Sequence, residues 1–483
     1  MYFLLERVKL SVLSKEVVKM DWIKLAESRK EELVSELQQL IQIESVLDQE
    51  TSSEDAPFGE GPLKALQFLL SLGEQQGFTA KNVDNYAGHL EMGSGKELLG
   101  ILCHVDVVPV GDSWTYPPFK GEIADGKLFG RGAIDDKGPT MAAYLAMKMV
   151  KDAGIELDKR IRMIIGTDEE SGFRCVDHYF TKEEMPTIGF APDADFPLIN
   201  AEKGIAILDF SQKGILEEDE QIIAFKAGQR SNMVPDTANA ILQNVDSSIE
   251  AEFASFLEKN STDGTLTKED DRYIIIMKGK AAHAMEPEKG RNAAVLLAKF
   301  LQNVVTTKGS QEFATFMVHT FDGDHYGSAI KLDYHDEMSG HTTLNPGVVL
   351  FHHKRGGHIQ VSMRYSVSYA FEEKITEATH QTSQFGFALD VASNSAPHYV
   401  PEEDEFVQTL LKVYRKYTGD HSKPLSTGGG TYARTMKKGV AFGMLFPGEP
   451  DVAHQADEFV VVENLVKAAA IYAEAIVELA GKK

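Results

Sequence analysis

Cysteine is nearly absent: Cys103 and Cys175 are the only two in 483 residues. Two thiols cannot form the disulfide framework of a secreted scaffold, and neither has the nearby second cysteine of a zinc ribbon or redox pair. A reducing cytoplasm is the expected setting, with Cys103 a small buried hydrophobe in an apolar run. Long apolar runs are missing too, none approaching the ~20 residues that span a bilayer. Basic residues fall short of acidic ones, 49 against 73, and the net charge of −24 repels nucleic-acid phosphates and anionic lipid alike. Neither nucleic acid nor a membrane is an expected partner. No Gly-x-Ser-x-Gly elbow occurs, which argues against a serine hydrolase. Gly428-Gly429-Gly430 lacks the lysine of a phosphate loop, and Gly130-Arg131-Gly132 precedes acidic residues instead of a dinucleotide helix. The start, Met1 to Arg7, meets charge too early for a signal-peptide core, so export is not expected and residues 1–19 read as an appendage.

What is present is a globular composition on a chain longer than the ~250 to 300 residues that one core organises, so two domains are expected. Helical periodicity runs from about Trp22 to Ile43 behind a cap at Asp21, and returns at Leu63–Leu72 before Gly73 as a stop. Strand-like runs at Leu98–Cys103, Ile161–Ile165 and Ile188–Ala191 flank a helix at about Pro139–Ala153, with Gly154 as its C-terminal cap. This alternation predicts an α/β fold, a mostly parallel sheet sandwiched by helices. After Gly204, alternating strands (Ala206–Phe210, Tyr273–Met277, His358–Tyr365) mix with helices at Ile249–Glu258 and Asn292–Val305. From about Phe387 the earlier style resumes, with helices at Glu405–Tyr417 and Glu463–Leu479 around a strand at Val440–Phe446. The expected organisation is a catalytic domain in two segments, 20–203 and 387–483, interrupted by an inserted α+β lid domain, 204–386.

Polar clusters punctuate this pattern where strands end, the place where open α/β sheets carry their chemistry. The first is His104-Val105-Asp106. Asp135-Asp136, Asp168-Glu169-Glu170, Asp193 and His454 follow. Singly each is weak, since an acidic run is usually a solvated turn. Jointly they supply what a pair of metal ions needs: imidazole nitrogens from His104 and His454, and carboxylate oxygens from Asp135, Glu170 and Asp193. Mixed nitrogen and oxygen donors suit zinc, cobalt or manganese better than calcium, with Zn2+ first. Asp106, two residues after His104 on an extended segment, shares its face and can hold the imidazole's second nitrogen.

These residues resemble the cocatalytic zinc peptidases and deacylases, a family that includes carboxypeptidase G, succinyl-diaminopimelate desuccinylase and bacterial Xaa-His dipeptidases. The likeness runs from about Met20 to the C-terminus. It rests on His104-Val105-Asp106, Gly130 to Gly138, Thr167 to Gly172, Pro192-Asp193-Ala194 and Ala453 to Glu458, five motifs in the family's order. It implies that Asp135 bridges two ions, that His104 and Asp193 complete one site, and that Glu170 and His454 complete the other. The bridge is placed at Asp135 because the family's aspartate stands two places before a lysine, here Lys137; adjacent Asp136 leaves a slip by one open. Glu169 corresponds to the general base, and Asp106 to the residue that orients the histidine. In the insertion, His283 matches a histidine that stabilises the oxyanion, with helix capping as its other reading. Arg364 matches the arginine that grips a terminal carboxylate, with a surface ion pair as its other reading. Asn232 resembles a second lid contact or a turn residue. Gly429 and Gly430 belong either to a helix opening that faces the same anion or to a flexible turn.

The length of the insertion resembles that of the dipeptidase branch, whose doubled lid lets one chain close its own site. The expected function is therefore a cytoplasmic, monomeric zinc dipeptidase acting on short peptides, Xaa-His types included. An N-acyl amino-acid deacylase would use the same metals and stays open, as does, more remotely, a non-catalytic zinc-binding scaffold.

Overall fold

The computed structural model describes residues 20–213 and 219–482, so the expected appendage at 1–19 lies outside the described residues. The chain divides into two compact units. One comprises the chain up to Lys96, His104–Glu170 and the chain from Asp451; the other comprises Glu97–Cys103 and Ser171–Pro450.

In the first unit, strands Thr79–Val83, Ala87–Gly93 and Arg160–Gly166 pair antiparallel in that order. Helices Lys137–Asp152 and Val462–Ala480 pack along one another. The second of these carries Ala468, Ala469, Ala470, Ala473 and Ala475, all fully buried, and side chains this small permit a close approach between helices. The helical pattern at the start splits into Trp22–Ser28 and Lys30–Ile41. At the break, the Arg29 amide turns back to the Ala26 carbonyl and its guanidinium reaches Asp152 at 2.8 Å. Gly73 does not end its helix, which runs Glu60–Gln75. A Cβ at Gly73 would lie 2.3 Å from Leu90, so this glycine serves close packing of the helix on the strand Ala87–Gly93.

In the second unit, the strand Leu98–His104, whose last residue re-enters the first unit, pairs parallel with Ile188–Ala191 through Leu99↔Ile188, Gly100↔Gly189 and Ile101↔Phe190. Gly439–Ala441 continues the parallel run, and Ile199–Glu202 joins it antiparallel. The expected strand Val440–Phe446 is interrupted at Gly443, where φ is +81° and a Cβ would strike the Phe196 ring at 2.4 Å.

Another sheet of this unit has eight antiparallel strands: Gly264–Glu269, Arg272–Lys278, Thr237–Gln243, Ile222–Ala227, Thr343–His352, Gly356–Tyr365, Gly204–Gln212 and Phe387–Ser395, in spatial order. Its last strand lies wholly after residue 386, the expected end of the insertion. Buried and half-buried positions alternate along Gly204–Gln212, so one face meets the helices Ala293–Leu301 and Lys308–Phe321. Phe316 stacks on Phe387 at 3.9 Å between ring centroids, and Phe313 contacts both Phe225 and Phe351.

Fully buried Glu220 closes the start of the helix Lys308–Phe321. Its carboxylate accepts from the Gly309 and Ser310 amides at 2.8 and 2.7 Å, and from the Thr307 and Ser310 hydroxyls at 2.8 and 2.7 Å. Glu220→Ala strands these donors and should cost ~3 kcal/mol in urea-induced unfolding.

Candidate active site

A continuously buried strand, Leu98–His104, delivers His104, also fully buried, at its end. The ring's Nδ1 lies 3.0 Å from the backbone carbonyl of Asp106 and 3.5 Å from its Oδ1. The closer partner of this nitrogen is thus main chain, not the expected carboxylate. The Asp106 carboxylate faces the next strand end instead, where Oδ1 and Oδ2 accept the amides of Glu169 and Glu170, each at 3.1 Å. The turn bearing both glutamates is thereby pinned to the segment bearing the histidine.

Asp135 and His454 meet in the same place. One Asp135 oxygen is 3.1 Å from His104 Nε2 and the other 2.9 Å from His454 Nε2, so the carboxylate spans two imidazoles. Asp136, fully buried, turns elsewhere: Oδ2 accepts the His104 amide at 3.1 Å and the Thr140 hydroxyl at 3.0 Å. Glu170 Oε2 lies 3.2 Å from His454 Nε2, while its buried Oε1 has no hydrogen-bond partner. One donor atom from each of His104, Asp135 and Glu170 falls within 4.8 Å of the others, a spacing that one metal ion can bridge.

Charge argues in the same direction. Burial opposes ionisation of Asp135, yet the two imidazoles outweigh it and hold its carboxyl well below the usual range. Burial pushes Glu169 well up, and Glu170 up, each reinforced by neighbouring carboxylates. The carboxyls of Asp106, Asp135, Asp136, Glu169, Glu170 and Glu458 share this neighbourhood with the buried cations Arg131 and Lys137, so acids outnumber bases and a bound cation would offset the excess. A nitrogen-and-oxygen donor set with an orphaned buried oxygen therefore fits a metal.

Two positioning residues lay in the quoted motifs without a role. Arg131 and Glu458 form a fully buried ion pair at 2.6 Å. Only their tertiary partners identify them, because an arginine between glycines and a glutamate after an aspartate read locally as turn residues.

The second unit holds the other candidates. Asp193 stands half-buried in the bend after Ile188–Ala191. The Asn232 carbonyl accepts the Ala284 amide at 2.9 Å, and Met233 bridges His283, so the segments bearing Asn232 and His283 lie side by side. Asn345, which the sequence did not single out, is 1% exposed and donates to the Ser231 and Met233 carbonyls at 3.0 and 2.9 Å. His283 does not cap the helix Ala293–Leu301; Asn292 does, through the Ala294 and Val295 amides. His283 Nδ1 accepts from the Met285 amide at 3.2 Å, which in the neutral ring places the proton on Nε2. Arg364 is 6% exposed and donates to the Gly428 carbonyl at 3.1 Å. Among the described residues it makes no ion pair. Burial, then the nearby Arg434, lowers it to about 10. The glycine run opens no helix directly: a 3-10 turn at Tyr432–Thr435 follows, capped by Thr431. The Gly429 amide is held by the Thr427 hydroxyl at 3.0 Å, and a Cβ at Gly430 would lie 2.5 Å from Arg434.

A family profile described as Peptidase family M20/M25/M40 matches residues 100–478. The chain is 46% identical over 465 residues, 95% of its length and 100% of the relative's, to a Bacillus subtilis protein named "Putative dipeptidase YtjP". Its fold is similar to that of human carnosine dipeptidase 1, with a TM-score of 0.57 at 14% identity, covering 95% of this chain and 98% of that one. It is also similar to the Saccharomyces cerevisiae di-peptidase Dug1p, with a TM-score of 0.54 at 15% identity, covering 95% and 97%.

Without metal, His454 carries a testable signature. Partial burial works against its charge, but Asp135 and Glu170 outweigh that and raise it to about 11. A raised folded-state pKa contributes stability fully below the unfolded value of ~6.5 and loses it as pH climbs through the folded one. In metal-free protein, the stability gap between wild type and His454→Gln, read from urea midpoints across pH, should be widest near pH 6 and shrink toward pH 11.

Proposed function

The chain belongs to peptidase family M20/M25/M40 and is a metallopeptidase; from that premise we propose that it hydrolyses dipeptides at a centre of two zinc ions, which manganese or cobalt can replace. The observation that carries this reading is the Asp135 carboxylate, one oxygen on each of two imidazoles at 3.1 and 2.9 Å. In this reading Asp135 would be shared by the ions, with His104 and Asp193 available to hold one and Glu170 and His454 the other. Ions bound there would bring the pKa of water to ~7 and polarise the scissile carbonyl.

The protein's own groups do the rest. Glu169 takes the water's proton and passes it to the leaving amine. Asp106 keeps Glu169 in place by fixing its amide. His283, with Nε2 protonated, donates to the carbonyl oxygen as charge builds there, a contribution of ~3 to 4 kcal/mol in comparable sites. Asn232, beside His283, is the second lid contact. Arg364, a buried cation without an acidic partner, receives the substrate's terminal carboxylate against the loop at Gly429 and Gly430.

The proposed substrates are dipeptides, Xaa-His types such as carnosine among them. A monomer belongs to this reading, on the length of the insertion at residues 204–386. Cys103 and Cys175 are buried thiols, which suits a reducing cytoplasm.

Purified protein supplied with zinc should prefer free-amine dipeptides over tripeptides and over acetylated or succinylated amino acids; exclusive attack on the acylated compounds would overturn the proposal. Glu169→Gln should retain zinc and lose at least ~10²-fold in kcat. Arg364→Lys should raise KM for dipeptides at least ~10-fold with a smaller change in kcat, because lysine cannot make the two-pronged contact.

A further inference from the structure

The loop that carries His454 is held in an unfavourable conformation. His454 has φ +63° and Asp457 φ +57°, left-handed backbone that costs a residue with a Cβ ~1 to 2 kcal/mol. Something must hold it there. Arg131 forks into the loop: Nη1 donates to the Gln455 carbonyl at 3.2 Å and pairs with Glu458 Oε2, while Nη2 reaches the carbonyls of His454 at 3.4 Å and of Pro109 and Val110 at 3.3 Å. The other Glu458 oxygen accepts the amides of Ile134 at 3.0 Å and Asp135 at 3.3 Å. One buried pair thus grips the main chain on both sides of the contact between Asp135 and His454.

We propose that the Arg131–Glu458 pair is the positioning element of the centre, setting the reach of His454 toward Asp135 and so the affinity for the ion shared by His454, Asp135 and Glu170. This rests on the two-ion reading above. His104 is held by different groups, the Asp106 carbonyl and its strand, so the ion on its side depends less on the pair.

The test uses two variants of the full chain. Arg131→Met/Glu458→Met removes both charges together and leaves no buried ion unpaired, a change that folded proteins commonly tolerate. Arg131→Lys keeps the charge opposite Glu458 but cannot fork to four carbonyls. Bound zinc per chain is measured by dialysis against a series of zinc buffers, alongside circular-dichroism melting of the metal-free proteins. Wild type should take up two ions. Each folded variant should keep one at wild-type affinity and need ~10- to 100-fold more free zinc for the second, the usual cost of losing an outer-sphere partner. Dipeptidase kcat should then recover with added zinc while KM stays unchanged. A folded variant that binds both ions as wild type does, or loses both equally, overturns the positioning role alone. Wild type that binds fewer than two ions overturns the two-ion reading, and the proposal with it. If the double variant does not fold, Arg131→Lys decides the matter by the same measurement.

Discussion

A carboxylate withdrawn from water has to be neutralised by hydrogen bonds, by a fixed cation, by a proton or by a bound ion. The first unit draws several of them into one neighbourhood, and they differ in the partner each one finds. Asp106 is spent on two amides, Glu458 on two amides and a guanidinium, and one Asp136 oxygen on an amide and a hydroxyl. Among the described residues, the side-chain partners of Asp135 are imidazoles. Glu170 keeps a buried oxygen with no hydrogen bond.

This division explains why acids that take no direct part in chemistry crowd the centre. A carboxylate that accepts main-chain amides fixes loop ends more firmly than a neutral acceptor, because charge-assisted bonds are about twice as strong. Asp106 locks the Glu169-Glu170 turn to the end of the His104 strand. Glu458 and Arg131 do the corresponding work between Asp135 and His454. The second unit shows the opposite charge logic, since buried Arg364 meets the Gly428 carbonyl and lies near another arginine.

Much of this was legible in the chain. Apolar runs located the strands that end at His104 and precede Asp193, because a strand covered on both faces must be apolar throughout. The family resemblance favoured Asp135 over Asp136, and in the structure the Asp135 carboxylate lies between the two imidazoles. Gly73 and Gly443 misled, since a glycine chosen for close approach looks the same in sequence as one that ends an element. Asn345 left no signal at all, its partners lying more than a hundred residues away.

The order of residues by itself determined which side chains could serve as donors and which segments would be buried, because periodicity and residue chemistry are local properties. It also carried the family motifs. Only the tertiary structure decided that Asp106 holds amides more closely than an imidazole, that Arg131 finds Glu458, and that His454 is held in a left-handed turn. Those outcomes depend on which groups water abandons together, and that is settled when distant segments close over one another.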